Sequence, residues 1–289
     1  MIFKGCGTAL VTPFTDGEVD YDAYAALIDR QVLSGVDFLV PLATTGETPT
    51  LSAEEKVALL KLTRGIAGKT PLLVGCGSNS VNATIDNMKL LEPCGVDAWL
   101  VVVPFYNKPT QEGQYLYFKA IAAATDKPVV IYNVPGRTGA NMLPQTCLRL
   151  AREVENIVAI KEASGKLEQV REILEGAPEG FSVLSGDDDL TLEMMRSGAA
   201  GVISVASNIV PEQVKAMTDA ALAGNLGEAS AIDSRLQPLF KNCFVESNPI
   251  PVKAGLSLMG LCRSEVRLPL SEATAGTFDI MRDTLKEIL

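Results

Sequence analysis

Short apolar runs alternate with amphipathic stretches along most of this chain, and this alternation constrains the fold more than any other feature. Each run is rich in β-formers and almost wholly apolar, as in parallel strands that are covered on both faces. Eight runs occur, at residues 7–13, 38–42, 71–75, 98–104, 128–132, 157–161, 181–185 and 201–205. Eight strand–helix units in succession favour an α/β fold of the closed (β/α)8 (TIM) barrel type. A doubly wound open sheet is the alternative.

The segments between the runs predict helices. Ser52 stands three positions before Glu55, the pattern of a capping box at a helix start. Helical spacing also predicts helices at residues 20–34, 144–154 and 167–174. After residue 224 the strand pattern stops, and residues 226–245, 249–261 and 271–289 all predict helices. We therefore expect a barrel that carries the active site at residues 1–224, and a C-terminal helical extension at 225–289 that supplies an oligomer contact.

Composition removes several classes of function. The chain has no histidine, which excludes Ser-His-Asp and Cys-His catalysis and histidine-based zinc sites. A net charge of −10 without long basic runs predicts no binding to nucleic acid or to anionic membranes. The six cysteines form no CxxC pair, so we expect reduced core thiols. With no signal-like or bilayer-spanning segment, we expect a cytoplasmic protein.

Barrel enzymes carry their reactive groups at the carboxyl ends of the strands, so we expect the catalytic residues at those positions. The sixth run ends in Lys161. Desolvation there disfavours the charged form of the amine and frees it to attack a carbonyl. The alternative is a structural lysine that reaches solvent or pairs with Glu162.

Three further strand ends carry polar groups. Tyr132 ends the fifth run, and Arg137 follows it in a Pro/Gly-shaped loop. Without histidine, Tyr132 suits proton transfer and Arg137 suits a carboxylate, although a packed tyrosine and a surface arginine fit equally well. Thr44 and Thr45 follow the second run and either present N–H groups to an anion or form an ordinary turn. Tyr106 follows the fourth run in a proline-rich loop, where a tyrosine is common.

Two patterns suggest other chemistry but fit simpler roles. Asp187, Asp188 and Asp189 follow Gly186 and precede a predicted helix, so helix capping and the helix dipole explain them better than a metal site. Two Gly-x-Gly pairs lack the rest of a dinucleotide fingerprint. We predict neither a metal nor a cofactor. A lysine, a tyrosine, a hydroxyl turn and one arginine at one barrel end favour a Schiff-base aldolase for a small carboxylated ketone.

Specific motifs extend this interpretation. The chain resembles the dihydrodipicolinate synthase and N-acetylneuraminate lyase superfamily over nearly its full length. The matching stretches are residues 7–14, 44–47, 132–139, 160–165 and 248–253.

The resemblance implies that Lys161 forms an imine with pyruvate, and that Tyr132, Thr44 and a neighbouring subunit's Tyr106 relay protons. Thr45 would help hold the pyruvate carboxylate, and Arg137 would meet the carboxylate of the aldehyde. Gly186 and Ile203 would line the pocket. The resemblance further implies a homo-oligomer, expected as a tetramer built from two dimers.

The second substrate follows from the motifs at residues 44–45 and 135–139. They resemble the branch that joins pyruvate to L-aspartate 4-semialdehyde on the diaminopimelate route to lysine. Aldolases that cleave keto-deoxy sugar acids or sialic acid are the alternative, and a non-catalytic carboxylate sensor is a third hypothesis. Lysine-inhibited relatives often use a tyrosine, a glutamate and histidines at an effector site. The matching positions here are Phe105, Ala83, Ala53 and Lys56, which predicts weak or absent inhibition by L-lysine.

Overall fold

The computed structural model describes residues 3–289 and contains an eight-stranded parallel barrel. Its strands are β1 (Gly5–Ala9), β2 (Phe38–Val40), β3 (Leu73–Gly75), β4 (Ala98–Val102), β5 (Val129–Asn133), β6 (Ile157–Glu162), β7 (Ser182–Ser185) and β8 (Gly201–Ser204). They neighbour one another in the order β2-β1-β8-β7-β6-β5-β4-β3. A parallel bridge between Leu39 and Leu72 joins the two ends of this order. The barrel prediction is confirmed, and each of the eight apolar runs overlaps one strand.

Helices cover the outside of the barrel. Within residues 3–289 they are α1 (Tyr21–Leu33), α2 (Ala53–Ala67), α3 (Val81–Leu91), α4 (Gln111–Ala122), α5 (Pro135–Thr138), α6 (Pro144–Glu153), α7 (Leu167–Gly176), α8 (Thr191–Arg196), α9 (Pro211–Leu222), α10 (Leu226–Asn242), α11 (Ile250–Leu258) and α12 (Ala275–Ile288). None of them combines the length and the apolarity needed to cross a membrane.

Local sequence explains where the first helices begin. The Asp20 side chain accepts a hydrogen bond from the backbone N–H of Ala23 and so caps α1. At α2 the predicted capping box is present, because Ser52 and Glu55 each accept from the other's backbone N–H. Both helices therefore start at the residue that the sequence indicates.

Two apolar layers hold the barrel together. An inner cluster fills the barrel and includes Ala9, Val40, Leu100, Tyr132 and Ile203. An outer cluster lies between the strands and the helices. This outer cluster continues into the C-terminal helices through Leu236, Val252 and Met281, which are fully buried with the barrel residues. The predicted boundary at residues 224 and 225 stays a prediction, and the apolar packing is continuous across it.

Candidate active site

Lys161 and Tyr132 lie side by side at the carboxyl end of the barrel. They are register partners on β6 and β5, and the Lys161 Nζ lies 4.3 Å from the centroid of the Tyr132 ring. Lys161 is 5% exposed and Tyr132 is 7% exposed. The aromatic face attracts the ammonium form of the lysine, while burial leaves the amine few other partners. The structure thus brings together the predicted nucleophile and the predicted proton carrier.

Gly186 follows β7 and leaves the space in which the Lys161 side chain lies. A Cβ atom at residue 186 would stand 3.0 Å from Lys161 Cε, 3.2 Å from Lys161 Cγ and 2.7 Å from Ala163 Cβ. The backbone N–H of Gly186 donates to the carbonyl of Glu162 at 2.8 Å. Ile203, on β8, is fully buried in the inner cluster together with Tyr132. Both predicted lining residues therefore belong to this end of the barrel, and the absence of a Cβ at Gly186 leaves room for the reactive side chain.

Thr44 and Thr45 form a one-turn 3-10 helix, Thr44–Gly46, after β2. Thr45 is buried, and its Oγ1 accepts a hydrogen bond from Asn248 Nδ2 at 3.0 Å. A hydroxyl that accepts from Asn248 keeps its own proton free to donate elsewhere. Thr44 is partly exposed, and its hydroxyl makes no hydrogen bond within residues 3–289. The turn therefore presents hydroxyl groups that suit a carboxylate.

Glu47, the residue directly after this turn, belongs to a buried ion pair that the sequence did not reveal. Its Oε1 lies 2.8 Å from the Nζ of Lys253, and both side chains are essentially inaccessible. The two residues are separated by 206 positions in the chain, so no local pattern could pair them. The only signal in the sequence was that each residue ends one of the family motifs, at residues 44–47 and 248–253.

Arg137 lies on the short helix α5, directly after β5, and its side chain is exposed. Among residues 3–289 no carboxylate pairs with it. Its guanidinium stays available to an anion that approaches the carboxyl end of the barrel. The position agrees with the predicted role at the entrance, and the role itself stays a prediction.

Tyr106 does not reach the lysine of its own chain. Its side chain is 87% exposed, and its backbone has a φ of 70°, in the left-handed region. Its backbone N–H donates to the carbonyl of Thr138 at 3.4 Å, which joins the loop after β4 to helix α5. A non-glycine residue with positive φ is strained, and such residues cluster at functional sites. The loop therefore presents Tyr106 outward.

Glu162 does not pair with Lys161, because successive strand residues face opposite sides of the sheet. Its carboxylate accepts hydrogen bonds from Asn133 Nδ2 at 2.9 Å, from the Ser164 N–H at 2.8 Å and from Gln169 Nε2 at 3.3 Å. Burial raises the pKa of Glu162, and these hydrogen bonds oppose the rise. The alternative in which Lys161 pairs with Glu162 is thus wrong, and Glu162 instead ties β6 to β5.

The aspartate run after Gly186 makes no capping hydrogen bond through its side chains, so the capping half of that prediction was wrong, whereas the acidic residues in the first turn agree with its helix-dipole half. Asp188 and Asp189 do lie in a first turn, but within this run no side chain makes a capping hydrogen bond. Asp188 instead accepts from the backbone N–H groups of Val205 and Ala206, at 2.9 and 3.1 Å. Burial, with repulsion from Asp189, raises the pKa of Asp187 to about 6, and the charge of Lys161 opposes this rise. The sequence did not show that Asp187 lies near enough to feel the charge of Lys161, because the two residues belong to different strand–helix units.

The four positions that match the lysine-effector site lie near the surface. Ala53 and Ala83 are exposed at the starts of α2 and α3, and Phe105 is 40% exposed beside Tyr106. Lys56 is partly buried, and burial lowers its pKa. No carboxylate stands at any of these four positions to meet an ammonium group.

A closed parallel barrel with a buried lysine beside a tyrosine at its carboxyl end is the arrangement of an aldolase-type lyase. A model of the dihydrodipicolinate synthetase family matches residues 2–288, and the chain belongs to this family. A 4-hydroxy-tetrahydrodipicolinate synthase from Phocaeicola vulgatus is 49% identical over 287 residues, 99% of this chain and 97% of that protein. The family and the lyase class predicted from the motifs are confirmed.

Solved structures of dihydrodipicolinate synthases have the same fold as this chain. The crystal structure of dihydrodipicolinate synthase from Thermotoga maritima has a TM-score of 0.98 and 44% identity, and the match covers 100% of this chain and 99% of that one. A monomeric dihydrodipicolinate synthase variant also has a TM-score of 0.98, with 45% identity, over 99% of this chain and 97% of its own. The fold is therefore also that of a relative described as monomeric.

Proposed function

We propose that the chain catalyses the 4-hydroxy-tetrahydrodipicolinate synthase reaction, the condensation of pyruvate with L-aspartate 4-semialdehyde. The observation that carries this proposal is the buried Lys161 beside Tyr132, in a chain that matches synthases of this name over its whole length. The alternative second substrate, a sugar-derived aldehyde, has no carboxylate that requires the exposed guanidinium of Arg137.

The reaction begins at the side-chain amine of Lys161. The neutral Lys161 Nζ attacks the ketone carbon of pyruvate, water leaves, and an imine forms. Loss of a methyl proton converts the imine into an enamine, whose carbon attacks the aldehyde of the second substrate. The amino group of that substrate then attacks the imine carbon and closes the ring. This last step releases Lys161, so the lysine is regenerated and the reaction consumes no cofactor.

Hydroxyl groups move the protons, since histidine is absent. We assign proton transfer to Tyr132 and Thr44, whose hydroxyls make no hydrogen bonds within residues 3–289. Tyr106 of the partner subunit completes the relay. Thr45 and the N–H groups of its turn hold the pyruvate carboxylate, and Arg137 holds the carboxylate of the aldehyde.

The assembly that this relay requires is at least a dimer, and we propose a tetramer made of two dimers. The support is the exposure of Tyr106, together with Phe105 and the 55% exposed Leu116. Exposed apolar groups of this size suit an interface between subunits. Mixing Tyr106→Phe with Lys161→Ala tests this assignment. Each inactive variant holds the residue that the other lacks, so a mixed dimer regains activity, and a relay within one chain would gain none.

We also propose that the protein works in a reducing compartment, the cytoplasm. All six cysteines are free, and five of them are buried. Burial raises the pKa of Cys262 to about 11 and raises the pKa of Cys6, Cys76, Cys147 and Cys243 further. Such thiols behave as small apolar side chains.

Turnover with pyruvate and L-aspartate 4-semialdehyde, coupled to a downstream NADPH-dependent reductase, tests the proposed function. N-acetylmannosamine and glyceraldehyde serve as rival aldehydes. Borohydride with pyruvate should trap one adduct on Lys161, and Lys161→Ala should lose it. Lys166→Ala is the matched control, because Lys166 is an exposed lysine in the loop that follows β6, and this variant should keep the adduct. An adduct without semialdehyde turnover would move the chain to a sugar-acid aldolase.

A further inference from the structure

Both partners of the buried ion pair between Glu47 and Lys253 make further hydrogen bonds to the backbone. Lys253 Nζ lies 2.8 Å from Glu47 Oε1, donates to the Thr12 carbonyl at 2.9 Å and stands 4.4 Å from the Phe14 ring centroid. The other carboxylate oxygen of Glu47 accepts from the backbone N–H of Arg267 at 3.0 Å. Two charges removed from water require such geometry, and even then a buried ion pair is weak evidence of a stabilising role.

The position of the pair in the fold says more about its role than its contribution to folding stability does. Glu47 directly follows the turn that carries Thr44 and Thr45, and it has a φ of 51°, in the left-handed region. A glutamate gains nothing intrinsically from that conformation, so its surroundings must hold it there. The Lys253 amine and the Arg267 N–H, both from the C-terminal extension, hold its two carboxylate oxygens.

The same extension reaches the turn at a second point, and the loop after β1 reaches it at a third. Asn248 donates to Thr45 Oγ1, as described above. The Thr12 hydroxyl donates to the Gly46 carbonyl at 2.8 Å, while the Thr12 carbonyl accepts from Lys253. Residues 45, 46 and 47 therefore each make a hydrogen bond to a segment distant in sequence. Lys253, in the C-terminal extension, contacts both Glu47 and the loop after β1, the latter through the Thr12 carbonyl.

We propose that Glu47 and Lys253 are positioning residues for substrate binding. Their pair fixes the Thr44–Gly46 turn so that its hydroxyl and N–H groups meet the pyruvate carboxylate. This inference rests on the proposed function. It also gives the C-terminal extension a part in catalysis, because Lys253 lies on α11 and the turn lies on the barrel.

A purely structural pair and a positioning pair differ in one measurable respect. Replacing both partners of a buried ion pair by apolar residues often leaves stability unchanged or raises it. The double variant Glu47→Leu/Lys253→Met leaves no uncompensated buried charge, so its thermal midpoint should lie above that of Glu47→Gln, but it lacks the directional hydrogen bonds that set the turn. If the pair positions the turn, substrate binding stays impaired although the double variant is more stable than Glu47→Gln.

The experiment measures the pyruvate concentration that half-saturates borohydride trapping, read as adduct mass on the intact protein. We expect the double variant and Glu47→Gln to raise this concentration about tenfold or more, while kcat at saturating pyruvate changes by less than about threefold. Half-saturation should change more than kcat because a contact with the pyruvate carboxylate is made equally in the ground state and in the transition state.

The control for lost stability is Ile121→Ala, a change of a fully buried residue on α4. It should lower the thermal midpoint without moving the half-saturating concentration. Parent-like half-saturation in both Glu47→Gln and the double variant would overturn the proposal, as would an equal rise in the Ile121→Ala control. A parent protein that forms no adduct at all would instead overturn the imine chemistry itself, and this inference with it.

Discussion

Gly186→Ala is the change whose effect follows most directly from the structure. The added methyl group would stand 3.0 Å from Lys161 Cε, 3.2 Å from Lys161 Cγ and 2.7 Å from Ala163 Cβ. Separations below about 3.4 Å are tighter than ordinary carbon contacts, which have their optimum at about 3.5–4.0 Å. Gly186 does not have a positive φ, so alanine is tolerated by the backbone and only the side-chain contacts change.

Two costs follow. Overpacking of a filled site destabilises the folded state by about 1–3 kcal/mol, because neighbours leave their preferred rotamers. The neighbour that must move here is the nucleophile. Misplacement of a reacting group by about 1 Å costs roughly a hundredfold in rate. We therefore expect Gly186→Ala to slow formation of the pyruvate adduct roughly a hundredfold while the protein remains folded.

The assay is the rate of borohydride-trapped adduct formation at saturating pyruvate, with the thermal midpoint measured in parallel. Gly65→Ala and Gly227→Ala are matched controls, since each lies in a helix with nothing within 4 Å of the added Cβ. They should leave the rate unchanged and raise stability by roughly 0.5–1 kcal/mol. Parent-like adduct formation in Gly186→Ala would refute the argument that Gly186 shapes the space around Lys161.

Four further predictions concern single residues or one ligand. Arg137→Ala should lower kcat/KM for L-aspartate 4-semialdehyde roughly 10- to 100-fold, as expected for a lost charged hydrogen bond, and leave half-saturation by pyruvate unchanged; an equal effect on both substrates would contradict its assignment. Asp187→Asn should gain stability over the parent as the pH rises. Because burial raises the folded-state pKa of Asp187 from 3.8 to about 6, the parent loses stability between those pH values, so the advantage should approach about 3 kcal/mol at pH 7 in denaturant unfolding and vanish at about pH 4. An advantage that did not vary with pH would contradict it. Ser52→Ala removes the α2 cap and should cost about 1 kcal/mol of unfolding free energy without changing kcat, whereas an unchanged stability would show that the capping box is redundant. L-lysine at low millimolar concentration should leave turnover unchanged, and clear inhibition would mean that Ala53, Lys56, Ala83 and Phe105 do not define the effector site.

Local patterns were enough to predict the architecture and the reactive centre. The apolar runs located all eight barrel strands, and the capping box at Ser52 marked the start of α2, because both signals depend on residues close together in sequence. Lys161 and Tyr132 could be paired in advance because parallel strands bring their carboxyl ends to one edge. The roles of Thr44, Thr45, Arg137 and Tyr106 came from resemblance to a family and await the experiments above.

Only the tertiary structure decided which groups support that centre. The sequence by itself determined eight strand–helix units with a lysine at one strand end, since apolar runs and helical spacing are local properties, whereas the closure of the strands into a barrel is seen in the structure. It did not determine the pairing of Glu47 with Lys253, the contact of Asn248 with Thr45 or the space that Gly186 leaves for Lys161. Those contacts join segments that are far apart in sequence, and burial and hydrogen-bond geometry select them only after the chain has folded.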